Sequence, residues 1–185
     1  LGSDVPQPAR VWMLRELTWL GGAEVVAPVA ELLKDDDALV AEEARRVLVH
    51  NPTAAATNAL RAALVEAGDH TAKIAYIDAL AARRDADPEF RRLLAPCAVD
   101  VDEALSLAAV DALGAVGTLP ALNLLREFWN DRLEPPMFQP TTQPVEMTAF
   151  RRRVANALLR SAELLARGDD AATADDVFRT MFFDE

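Results

Sequence analysis

Four leucines, Leu17, Leu48, Leu80 and Leu113, stand 31, 32 and 33 residues apart, and each ends an apolar helical stripe just before a break. After Leu17 come Gly21-Gly22 and then Val26, Val29 and Leu33; after Leu48 come Asn51-Pro52-Thr53 and then Leu60 and Leu64. After Leu80 the break is Asp85-Ala86-Asp87-Pro88, followed by Phe90, Leu94 and Cys97. The fullest copy runs from Leu105 to Trp129. There Ala109 and Leu113 lie four apart and share a helix face. Gly114 and Gly117 are expected to loosen that helix, and Thr118 to cap a second one that tolerates Pro120 in its first turn. Leu122, Leu125 and Trp129 give the second helix its own stripe. A hairpin of this size cannot bury its apolar face alone, so a period near 32 predicts stacked hairpins sharing one core.

Several classes fall away on composition. The 185 residues carry a net charge of −11, with a pI near 4.6. Recognition of a phosphate backbone needs clustered Lys and Arg, so nucleic acid is not the expected partner. Half of the residues are hydrophobic (51%) and 26% are charged, a globular composition. A single cysteine, Cys97, excludes an internal disulfide and reads as a small buried hydrophobe beside Pro96. No run of 18 apolar residues occurs, so no membrane insertion is expected. The chain opens Leu1-Gly2-Ser3 without methionine, which suggests a processed product or an expressed fragment. Lysine occurs only at Lys34 and Lys73 beside abundant arginine and alanine, a bias that suggests a GC-rich bacterial origin.

Residues 1–8, with Pro6 and Pro8, read as an irregular lead-in, and four hairpins are expected over 9–130. The first pair of helices spans about 9–20 and 23–34, with Pro28 kinking or delaying the second. Trp12 and Trp19, seven apart, are expected to seal the end of the array or to pack on an earlier repeat. Asp35-Asp36-Asp37 lacks the spacing of a calcium loop and reads as the acidic cap region of the next helix. The second and third hairpins occupy about 38–68 and 71–99, and Val101-Asp102-Glu103 starts the fourth. Residues 131–148 hold Pro135, Pro136, Pro140 and Pro144 and read as a Pro-rich loop, the least repeat-like segment. A C-terminal helical pair completes the chain over 149–185. It opens with Arg151-Arg152-Arg153 and ends apolar at Val177, Phe178, Met181, Phe182 and Phe183, so the native chain is expected to continue.

The segments Leu39-VAEEARRVL-Val49, Ala79-Leu80 with Ala82-Arg83-Arg84-Asp85, and Ala108-AVDALGAVG-Thr118 resemble successive short HEAT-like repeats of the kind found in large, Ala-rich multidomain bacterial proteins. The resemblance covers roughly residues 9–130. It implies an all-α fold, a right-handed α-solenoid of antiparallel helix pairs closed by the C-terminal hairpin. It also slightly favours an exported over a cytoplasmic location. Typical HEAT periods are longer, about 40–47 residues. The period is nearer that of ankyrin or tetratricopeptide repeats, but neither T-P-L-H-x-A nor W-x-x-L-G-x-x-Y occurs here.

Catalytic patterns are sparse. Ser106 and Ser161 stand in helical stripes without a nucleophile elbow, and His50 and His70 belong to no metal-binding pattern. His50 reads as a helix-end or surface residue. No haem attachment, Walker loop or dinucleotide-binding pattern is present. The expectation is therefore a non-catalytic scaffold without a cofactor, holding a protein partner on its concave face. The second helices would offer Glu31, Arg61, Arg92 and Arg126. The Pro-rich loop and the helix after it would add Arg132, Met137, Phe138, Arg151 and Arg152, three arginines in one helix turn being suited to an acidic partner. The alternative is an accessory module of a larger enzyme or electron-transfer protein, and a more remote one is a chromophore lyase, since short HEAT-like repeats also occur in bilin lyases.

Overall fold

Four helix starts illustrate how the sequence sets its own boundaries. The side chains of Asp37, Thr53, Asp69 and Asp102 each accept a backbone N–H of the adjoining helix, at 2.9 Å (Leu39), 3.4 Å (Ala56), 2.8 Å (Ala72) and 2.8 Å (Leu105). Each cap satisfies a donor that the helix itself leaves orphaned, a contribution of about 1 kcal/mol. The acidic run at 35–37 is thus divided. Asp37 caps a helix, while Asp35 accepts the Arg10 guanidinium and the Asp37 N–H.

In the computed structural model, residues 5–85, 88–131, 149–168 and 171–182 are described. Ten α-helices and no strand occur among them. The chain divides into two compact units, 1–85 and 86–185.

The first unit holds α1 (Gln7–Leu20), α2 (Val26–Glu31), α3 (Ala38–His50), α4 (Ala54–Glu66) and α5 (His70–Ala82). α2 is flanked by 3-10 turns at Ala23–Val25 and Leu32–Lys34, so the helix carrying Pro28 is broken into three short pieces. α3 packs on α1, α2, α4 and α5, and α4 packs on α2 and α5. Leu14, Val29, Val40, Val47, Leu48, Leu60, Ile77 and Leu80 are fully buried. Burying such a side chain contributes about 2 kcal/mol. Leu17 is only half-buried; on α1 the core position belongs to Leu14. Trp12 and Trp19 do not seal this unit, being 61% and 78% exposed. Trp19 lies near the His50 ring, centroid to centroid 6.3 Å.

The second unit holds α6 (Pro88–Ala98), α7 (Glu103–Val116), α8 (Leu119–Asp131), α9 (Ala149–Arg167) and α10 (Ala171–Phe182). α7 packs on α6, α8 and α9, and α9 also packs on α8 and α10. The C-terminal pair is therefore integral to this unit's core, with Val154, Leu158, Ala174 and Val177 buried. Gly114 does not loosen its helix. α7 continues through it to Val116, and a Cβ on Gly114 would stand 2.8 Å from Ala157 Cα, so the missing side chain is what lets α9 approach. The break lies at Gly117, whose left-handed φ of 62° ends the helix. Cys97 is half-buried rather than buried, its Sγ 3.3 Å from the Leu93 carbonyl oxygen.

Asp35 links this architecture to pH. The Arg10 guanidinium, and then the Asp37 N–H, hold its carboxyl below the usual carboxylate range. A pKa depressed by folding contributes stability that is present above the unfolded value, about 3.9, and is lost as pH falls through the folded one. Asp35→Asn is therefore expected to be less stable than wild type at neutral pH, with a difference that shrinks as pH drops below about 4. Denaturant titrations of both proteins across that range measure it.

Candidate functional site

A groove runs along the second helices of the first unit, between α2 and α4. Ala30, Leu33, Ala59, Ala62 and Ala63 line it, and Glu31, Lys34 and Glu66 flank it, around a space of about 390 Å³. Alanine dominates because these positions face one another across two helices, where any longer side chain would fill the space. Lys34 Nζ donates to Glu66 Oε2 at 2.6 Å. That carboxylate, the main cause, raises the lysine's pKa above its ordinary value. Glu31 thus falls on a ligand-sized feature.

Three of the arginines expected to meet a partner, Arg61, Arg126 and Arg151, are engaged within their own unit. Arg61 donates through Nε to Asp85 Oδ2 at 2.6 Å and through its second nitrogen to Oδ1, with both side chains largely buried. Arg126 pairs with Asp176 of α10 at 2.6 Å. The Arg151 guanidinium stacks over the Trp129 ring, 4.9 Å from its centroid, and Arg153 pairs with Asp111 at 3.2 Å. These contacts engage two of the three positive charges at a helix start, where the dipole alone opposes them. Arg92, 73% exposed, makes only a 3.5 Å contact with Glu89, and Arg152 is exposed. Arg132, Met137 and Phe138 lie outside the described residues.

Sequence reasoning missed the residues that tie one turn to the next. Asn51, buried in the α3–α4 turn, donates to the Gly21 and Gly22 carbonyls at 3.3 and 2.7 Å and accepts from Thr53. Arg83, just after α5, reaches back in the same way. It donates to the carbonyl oxygens of Leu48 (2.7 Å), Val49 (2.9 Å), Asn51 and Thr53 (3.1 Å), and to Thr57 Oγ1 (3.0 Å). Its burial pulls the guanidinium pKa below its ordinary value, partly offset by Asp85. The available signal was the position of each residue, in a turn one period beyond the turn it contacts.

Two serines serve as internal ties. Ser106 Oγ donates to the Ala98 carbonyl at 2.7 Å and Ser161 Oγ to that of Gly114 at 3.4 Å. Among the described residues no cluster of three metal-ligating side chains occurs, and no helix is long and apolar enough to cross a membrane. No family model matches this chain, and no curated protein matches it.

Proposed function

We propose that this chain is a non-catalytic protein–protein interaction scaffold, a right-handed solenoid of short HEAT-like hairpins that docks its partner on the face formed by the second helices. The repeat arrangement is supported by the succession of like helices within each unit, α1 on α3 on α5 and α2 on α4 in the first and α7 on α9 in the second. The backward reach of Asn51 and Arg83 supports it too.

The observation that carries the docking assignment is the α2–α4 groove, an apolar alanine floor between charged rims. Small floor residues admit a close-packed partner helix, and the rim's Glu31, Lys34 and Glu66 set its register through charge. The test is affinity capture from the source organism's lysate, followed by measured binding of the retained partner. Ala62 is exposed, so Ala62→Arg fills the groove without disturbing the core, and it is expected to weaken that partner by at least about tenfold. Val65→Arg, on α4 outside the groove lining, and replacement of Met137–Gln143 by Gly/Ser are expected to leave it bound. Loss in the loop variant with retention in Ala62→Arg would overturn this placement.

A further inference from the structure

α5 and α7 end alike. Arg84 (φ 51°) and Gly117 (φ 62°) are the two left-handed residues among those described, and each stands four positions after a fully buried leucine, Leu80 or Leu113. The next residue is Asp85 in one turn and Thr118 in the other. In the first unit Asp85 accepts the two-pronged bond from Arg61 of α4. Thirty residues beyond Arg61 stands Arg91 of α6, and the leucines three positions after each, Leu64 and Leu94, are both buried. Arg91 thus repeats Arg61, while the counterpart of Asp85 is a threonine.

Arg91 and Thr118 line one cavity of about 150 Å³, with Leu94, Leu113, Val116 and Pro120 among its walls. Nε of Arg91 is buried and has no hydrogen-bond partner. A buried donor without an acceptor is costly, and a planar guanidinium matches a carboxylate in two-pronged fashion. α8 begins at Leu119, so the positive end of its dipole also faces this turn.

We propose that this cavity binds a small monocarboxylic acid, whose carboxylate takes the role at Arg91 that Asp85 plays at Arg61 and whose compact apolar body rests on the leucine and proline walls. A cavity of this volume suits a single small ring, since an apolar cavity of about 150 Å³ holds benzene. The apolar walls disfavour a strongly hydrated dianion such as phosphate.

Sodium acetate, isobutyrate and benzoate serve as probes, titrated into the intact protein by calorimetry and amide NMR. Benzoate or isobutyrate is expected to bind saturably at one site per chain, with acetate, benzyl alcohol and inorganic phosphate at least about tenfold weaker. Arg91→Met is expected to lose at least about tenfold in affinity. Thr118→Asp supplies the carboxylate internally, so it is expected to abolish binding and to raise Tm. Failure of all three acids to bind would overturn the proposal, as would phosphate binding as tightly as benzoate. Undiminished binding by Thr118→Asp with an unchanged or lower Tm would also overturn it.

Discussion

Replacing Arg83 by alanine is expected to remove about 3 kcal/mol from the stability of the first unit, because one side chain satisfies four carbonyls and a hydroxyl of the preceding turn. Leu48 and Val49 belong to the last turn of α3, where the carbonyls lack helical partners and carry the negative end of the dipole. A cation there satisfies the oxygens and complements that dipole at once. Without it, the half-buried carbonyls of this turn lose their donor. Arg83→Lys should recover less than half of the loss, since an ammonium group cannot span the fan of acceptors that the guanidinium reaches. Denaturant unfolding measures the total. Hydrogen exchange localises it, with faster exchange expected at the α3–α4 turn and little change in the second unit.

Gly114→Val is expected to destabilise the second unit by about 2–3 kcal/mol. The obstruction is the backbone of α9, with Ala157 Cα, Cβ and O at 2.8, 2.9 and 3.1 Å from where a Cβ would stand. No rotamer change relieves a clash with a main chain, so α7 and α9 must part, and the Ser161 bond to the Gly114 carbonyl is lost with them. Gly68→Val is the control, because nothing lies within 4 Å of a Cβ there, and its effect should stay within about 0.5 kcal/mol. Calorimetry of both variants, with hydrogen exchange across α7 and α9, makes the comparison. A Gly114→Val protein as stable as the control would mean that the two helices do not meet at this glycine.

These two residues show where a reading of the sequence succeeds and where it stops. Periodicity finds Leu48, Leu80 and Leu113 because each is fully buried within its own helix, and local capping finds Asp37 because its partner lies within a few residues. Gly114 looks like a breaker in one dimension; its role depends on Ala157, which lies 43 positions later in the chain. Leu17 fits the spacing, yet Leu14 takes the core position. Arginines are harder still. Arg61, Arg126 and Arg151 have the charge and the helix position of contact residues, but each is engaged by a group far away in sequence, Asp85, Asp176 or Trp129. Charge is visible in a sequence, whereas the neutralising partner becomes visible only when the helices are stacked. The groove was anticipated only through Glu31, because alanines at a helix surface carry no signal until a second helix faces them.

A partner protein seated in the α2–α4 groove, as proposed, is reached from position 62 and not from position 65. The most direct measurement places a photo-cross-linking amino acid at position 62 or, separately, at position 65 of the same helix, and irradiates each protein in lysate. A discrete adduct from position 62 that disappears on adding Ala30→Arg, with none from position 65, is the predicted result. An adduct from position 65 alone, or from neither position, would contradict it.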